Sequence, residues 1–186
     1  GLTGTGAGKD RIVYETKDAN GNPVKETVAT MNDGLHFAGD NGNTVIDKTL
    51  NEKLEIVGGA DAAKLTDNNI GVNAKDGKLQ VQLAKDLNGL SSVEVKDDNG
   101  ASTVMKGDTI KSKDAAGNTS VVNGSGVTIT PANPQNPNAG TVSLTTEGLN
   151  NGNNQIKGVA AGTADTDAVN LGQLKKSNAQ LANAIA

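Results

Sequence analysis

The sequence predicts a mainly β chain that ends in a short helix, and three observations predict it. Asn-Gly, Asp-Gly and related turn signals punctuate the chain at short intervals, with runs rich in Val, Ile, Leu and Thr between them. Aromatic residues make up 1% of the 186 residues and are represented by Tyr14 and Phe37 alone. The last residues carry apolar side chains at the 3-4-3-4 spacing of a heptad seam.

The elements follow in order. Turns are expected at residues 18–23, 40–43, 75–78, 97–100 and 114–118, where Gly and Asn tolerate the positive φ that tight hairpins require. Between them, residues 10–17, 24–31, 34–37, 53–57, 78–83, 91–96, 102–106, 108–112, 119–123, 126–130 and 140–145 read as short strands. Two small helical stretches are expected within this pattern, at residues 43–50 and 60–65, the second too short to stand without packing. Residues 131–140 hold three of the four prolines and cannot be a central strand, because proline donates no ladder hydrogen bond. They read as an exposed excursion between two paired strands. In the last segment, Leu171, Asn178 and Ile185 occupy the a positions of a heptad, and Leu174 and Leu181 the d positions. Asn178 is a polar residue in that seam, which weakens it while fixing register and oligomer number.

Composition then limits how such a chain can fold. Hydrophobic residues make up 34%, below the usual level of about 45–50% that also counts Gly. With two aromatics, the chain is poorly equipped to bury a deep core of its own. The alternatives are partial disorder, stacked repeats, or association with copies of itself. A net charge of only −4 and periodic β-branched residues argue for ordered strands. A pI near 5.0 with scattered Lys gives no basic stripe, so nucleic acid is not an expected partner. There is no Cys, hence no disulfide framework, and no long apolar run. The ends, Gly1-Leu2-Thr3-Gly4 and Ile185-Ala186 inside a helical pattern, read as those of an excised fragment, with targeting signals expected outside it.

Catalytic chemistry is poorly represented. His36 is the single histidine, and no G-x-S-x-G elbow accompanies it. It reads as a residue at a strand end beside Phe37. A zinc site needs further His or Cys ligands. Gly4-Thr5-Gly6-Ala7-Gly8-Lys9 lacks the spacing and the Ser/Thr of a phosphate loop and reads as a flexible connection. Asp18-Ala19-Asn20-Gly21-Asn22 begins like a calcium loop but lacks Gly at the sixth place and an acid at the twelfth, so it reads as a hairpin turn. No catalytic residue, metal site or cofactor is expected, and the chain is not expected to be an enzyme. A monomeric β-solenoid carbohydrate enzyme would show a regular repeat and a cleft of acids and aromatics, and the sequence has neither.

Residues 158–174 carry the most specific pattern. Val159, Ala160, Ala161, Gly162, Asp167, Ala168, Val169, Asn170, Gln173 and Leu174 fit V-A-A-G-x-x-x-x-D-A-V-N-x-x-Q-L, and this stretch resembles the neck of the trimeric autotransporter adhesins, the YadA-like and Hia-like family of Gram-negative bacteria. Residues 145–156 resemble the GIN head module, with Gly148-Leu149-Asn150 in place of Gly-Ile-Asn. Residues 58–90 resemble the Trp-ring head module, here without Trp. The organisation so read is a first β head module at 1–92, a GIN-like head module at 93–157, a neck at 158–174, and the start of a coiled-coil stalk at 175–186.

The resemblance implies a parallel homotrimer of elongated β-prism heads, joined by a neck to a trimeric coiled coil. It implies that Val159, Val169 and Leu174 bury against neighbouring chains. Gly158, Gly162 and Gly172 then permit tight turns and close approach, and Asp165, Asp167 and Asn170 cap helix starts or bond across chains. The neck and seam set is therefore Val159, Gly162, Asp167, Val169, Asn170, Leu171, Gln173, Leu174, Asn178, Leu181 and Ile185. The implied location is the Gram-negative cell surface, with a membrane anchor C-terminal to this chain. The implied function is attachment to a host extracellular-matrix protein or cell-surface receptor; the alternative is a structural spacer whose binding tip lies elsewhere. No residue identifies the ligand.

Overall fold

The computed structural model describes residues 10–133 and 139–186, and these form a mainly β chain with one C-terminal helix. The Gly4–Lys9 stretch and the middle of the proline-rich excursion lie outside the described residues. The chain divides into two units, residues 1–65 and 66–186.

The first unit contains two antiparallel hairpins. Strands β1 (Val13–Lys17) and β2 (Pro23–Thr27) pair around the turn at Asp18, and β3 (Gly34–Ala38) pairs with β4 (Val45–Thr49). The Asp18 carboxylate accepts the N–H groups of Asn20 and Asn22, both at 2.9 Å, so it closes a hairpin turn. A two-pronged ion pair from Arg11 to Asp33 ties the start of β1 to the turn before β3 and, together with the Thr30 N–H, holds the Asp33 carboxyl far below the usual carboxylate range.

Several expectations are corrected here. Residues 43–50 were expected to be helical, yet β4 occupies them. Val45, Ile46 and Thr49 are β-branched and gain cross-strand partners, Ile46 opposite Phe37, that a lone helical turn would lack. Residues 53–57 form no strand, and no strand among the described residues pairs with them. His36 lies in the middle of β3 rather than at a strand end, and its Nδ1 meets the carboxylate of its cross-strand partner Asp47. The expected helix at 60–65 is a single 3-10 turn, Ala62–Lys64, capped by Asp61.

The second unit opens with the hairpin of β5 (Ile70–Lys75) and β6 (Lys78–Leu83). Asp76 and Gly77 between them both have positive φ, 53° and 70°, as a two-residue hairpin turn requires. Asn69, the one buried residue among those described, clamps this hairpin's base. Its amide donates to Asn88 O at 2.8 Å and its Oδ1 accepts the Asn88 N–H at 2.9 Å.

Next comes a seven-stranded antiparallel meander in sequence order. It comprises β7 (Val93–Lys96), β8 (Ser102–Met105), β9 (Ile110–Lys113), β10 (Thr119–Asn123), β11 (Gly126–Thr130), β12 (Val142–Thr145) and β13 (Gly148–Asn150). The sheet begins at Val93, whereas the chain's two units divide at residues 65 and 66. Strands β11 and β12 pair directly, so the proline-rich segment does connect two paired strands. The β1–β2, β7–β8 and β9–β10 turns share one device, Lys-Asp-x-x-Gly, at residues 17–21, 96–100 and 113–117. In each, the Asp accepts the N–H of the residue four places on, at 2.9 Å for Asn22, 3.0 Å for Ala101 and 2.9 Å for Asn118.

Gly126 lets β11 and β12 meet. Its φ is +132°, and a Cβ there would lie 2.1 Å from the Leu144 carbonyl oxygen. Gly126→Ala is expected to break the β11–β12 ladder at a cost of about 3 kcal/mol or more. Amide exchange across residues 127–144 checks this: unchanged protection would contradict it.

Candidate assembly surface and neck

No hydrophobic side chain is buried among the described residues. The apolar side chains are not scattered, however. Following the register across the seven strands, Val93, Met105, Ile110, Val122, Val127, Leu144 and Leu149 form one unbroken row. Two residues along each strand, and therefore on the same face, lies the row Val95, Thr103, Ser112, Ser120, Ile129 and Val142. Thr103 and Ser112 satisfy each other there, with their hydroxyls 3.0 Å apart. The opposite face carries Glu94, Lys96, Lys111, Lys113, Thr128 and Thr130, with Val104 and Val121 among them. One face thus carries the unbroken aliphatic row and the other is mainly polar, yet Leu144 is 61% and Leu149 62% exposed.

The β5–β6 hairpin repeats the arrangement. The cross-strand pairs Ile70–Leu83, Val72–Val81 and Ala74–Leu79 share one face, and Gly71–Gln82, Asn73–Gln80 and Lys75–Lys78 the other. Its aliphatic side chains are likewise exposed. An antiparallel sheet with one apolar face requires something against that face.

The neck is organised by side-chain hydrogen bonds. Helix α1 (Leu171–Ile185) is capped by Asn170, whose Oδ1 accepts the Gln173 N–H at 2.9 Å, while Gln173 Oε1 accepts the Asn170 N–H at 3.1 Å. This reciprocal pair is a capping box. Gln173 also bonds both backbone groups of Gly162: Oε1 accepts its N–H and Nε2 donates to its carbonyl, each at 2.9 Å. Asn170 Nδ2 donates to the Val159 carbonyl at 3.1 Å. The loop is so close that a Cβ on Gly162 would lie 2.8 Å from the Ala168 carbonyl oxygen.

Asp167 holds the loop's bend. Its Oδ2 accepts the N–H groups of Thr163 at 2.9 Å and Ala164 at 3.0 Å. These bonds, Ala164 first and Thr163 next, hold its carboxyl below the ordinary value of about 3.9. A carboxylate with a lowered folded pKa stabilises the neck above its unfolded pKa, and that stabilisation is lost as pH falls through the folded value. An Asp167→Asn variant is therefore expected to lack this acid-dependent loss, which thermal melts of both proteins from neutral pH to below pH ~4 would register.

The structure thus brings Val159, Gly162, Asn170 and Gln173 into one network, with Asp167 in the adjoining bend. Asp165, expected with Asp167 and Asn170 to cap a helix start or bond across chains, makes no hydrogen bond among the described residues of the single chain. Val169, Leu171, Leu174, Asn178, Leu181 and Ile185 are exposed, and the helix buries none of its residues. Leu171, Leu174, Leu181 and Ile185 are 51–78% exposed along the heptad stripe. The sheet's aliphatic row was absent from the sequence-derived site. Its period-2 alternation was visible strand by strand, but only the register joins seven short strands into one surface.

Among the described residues no cluster of His, Cys, Asp or Glu could hold a metal ion, and no helix is long and apolar enough to cross a membrane. Residues 155–186 match the family model of the coiled stalk of trimeric autotransporter adhesins. Among solved structures, the chain is similar to the C-terminal stalk of AtaA from Acinetobacter sp. Tol 5, determined as a fusion to GCN4 adaptors. The identity is 21% and the TM-score 0.42, over 99% of this chain and 32% of that one. No curated protein matches the chain.

Proposed function

We propose that this chain, whose residues 155–186 match the coiled stalk of trimeric autotransporter adhesins, is a segment of such an adhesin and works as a homotrimeric module of a bacterial surface fibre. Three copies associate through the aliphatic faces of the seven-stranded sheet and the β5–β6 hairpin, giving β-prism heads. The seam Leu171, Leu174, Asn178, Leu181 and Ile185 continues the association as a parallel coiled coil. Val159, Gly162, Asp167, Val169, Asn170 and Gln173 form the neck between the two. The modules so proposed are a first head at 1–92, a GIN-like head at 93–157, the neck at 158–174 and the stalk from 175.

The observation that carries this reading is an aliphatic row crossing all seven strands in a chain whose described residues bury no hydrophobic side chain. Members of the family are anchored in the outer membrane of Gram-negative bacteria, so the cell surface is the proposed location. Attachment to host cells or extracellular matrix, without enzymatic activity, is the proposed role. Light scattering tests the assembly. The expected mass is three times 18.7 kDa. A folded monomer that persists even with a trimeric coiled coil fused in register after Ala186 would overturn it.

A second reading makes the module a spacer that supports a binding tip elsewhere. The matched stalk model covers residues 155–186 and leaves the β modules before it open to either role. Solid-phase binding of the trimer to collagen, fibronectin, laminin and host cells separates the two. Uniform absence of binding selects the spacer.

A further inference from the structure

Six Asn-Gly pairs occur in the chain, at residues 20–21, 41–42, 88–89, 99–100, 123–124 and 151–152. Such a pair can react with itself, because glycine has no Cβ to shield its nitrogen from the preceding side-chain amide. The reaction needs a free nucleophilic nitrogen and an electrophilic carbonyl, and the fold treats the six pairs unequally.

Two nitrogens are engaged. Gly21 N–H donates to the Asp18 carbonyl at 3.0 Å, and Gly152 N–H donates to Asn150 Oδ1 at 2.9 Å. Asn88 is clamped at both its N–H and its carbonyl by Asn69. At residues 41–42 and 99–100 neither the glycine N–H nor the Asn Oδ1 has a hydrogen-bond partner among the described residues. Among the described residues, only the turn between β10 and β11 combines both requirements. Gly124 N–H has no partner among the described residues, while Asn123 Oδ1 accepts the Ser125 N–H at 2.9 Å. The Ser125 peptide is itself anchored, since its carbonyl accepts the Thr146 N–H at 2.9 Å. A fixed N–H on Oδ1 stands where negative charge develops as a nitrogen attacks Cγ, in the manner of an oxyanion hole.

We propose that Asn123–Gly124 is a self-modification site, at which the folded protein converts Asn123 to aspartate and isoaspartate ahead of its other Asn-Gly pairs. Gly124 N gives its proton to solvent base and bonds to Asn123 Cγ. The Cγ–Nδ2 bond breaks, Nδ2 takes a proton from water, and ammonia leaves. The resulting succinimide is opened by water at either carbonyl. No oxidant or reductant is involved. Each event adds a carboxylate at the turn, and the isoaspartate product also lengthens the main chain by one carbon where β10 enters β11.

The test is peptide mapping by mass spectrometry, with isoaspartate detection, of the folded protein incubated in mildly alkaline buffer at physiological temperature. Asn123 is expected to convert about tenfold faster than Asn20 and Asn151. In denaturant the six pairs are expected to converge, because the difference is set by the fold. Gly124→Ala is expected to slow conversion at Asn123 while preserving the structure, since Gly124 has an ordinary φ and nothing within 4 Å of an added Cβ. Conversion at Asn20 or Asn151 as fast as at Asn123 in the folded protein would overturn the proposal. So would a rank order that persists unchanged in denaturant.

Discussion

A Leu144→Asp chain is expected to lose its assembly and, with it, its cooperative unfolding transition. Leu144 stands in the aliphatic row between Val127 and Leu149 and is 61% exposed in the single chain. Under the proposed trimer that exposure is the surface buried on association. Burying a Leu side chain contributes about 1.5–3 kcal/mol, and the substitution removes this from each of three chains. It also places a carboxylate against apolar partners, which costs several kcal/mol more unless the group takes up a proton. A chain whose described residues have no buried hydrophobic of their own has nothing to fall back on. Thr130→Asp is the matching control. It lies in the same sheet on the polar face and is expected to leave assembly intact. Sedimentation or light scattering of both variants decides the matter: equal disruption by the two would show that sheet stability, not the aliphatic face, is what Leu144→Asp affects.

Gln173→Ala is expected to release the neck from the helix. The side chain makes three hydrogen bonds, two to the backbone of Gly162 and one to the N–H of Asn170. Each contributes about 1 kcal/mol net, and the substitution leaves backbone groups of the part-buried Gly162 unpaired, so the loss is about 2–4 kcal/mol. Amide exchange should report lost protection at Gly162 and Asn170. Gln173→Glu keeps the acceptor for both N–H groups but loses the donor to the Gly162 carbonyl, so an intermediate loss is expected. Unchanged exchange at Gly162 in Gln173→Ala would show that the close approach of Gly162 to Ala168 suffices to hold the loop.

Much of the local structure was legible residue by residue. Strands 78–83, 119–123 and 126–130 lie where alternation and turn signals placed them, because hairpins are local and their turns carry the residues that positive φ demands. The resemblance named Asn170, with Asp165 and Asp167, as a residue that caps a helix start or bonds across chains, and Asn170 does cap α1, a contact over three residues. The misreadings came where a partner strand decides. Residues 43–50 became β4 because β3 lies beside them, residues 53–57 stayed irregular with no strand among the described residues paired to them, and β5 and β13 owe their strand character to β6 and β12. The double role of Gln173 was likewise hidden, since its partner Gly162 is eleven residues away.

By itself, then, the sequence determined a β-rich, turn-dense chain with a helical end and too little apolar bulk for a core of its own. Those properties follow from composition and from contacts a few residues apart. Only the tertiary structure decided that the aliphatic residues of seven strands stand in one row on one face. That outcome depends on register, because moving any strand by a single residue would turn its side chains to the other side. Register, more than composition, makes this chain's missing core into a surface for association.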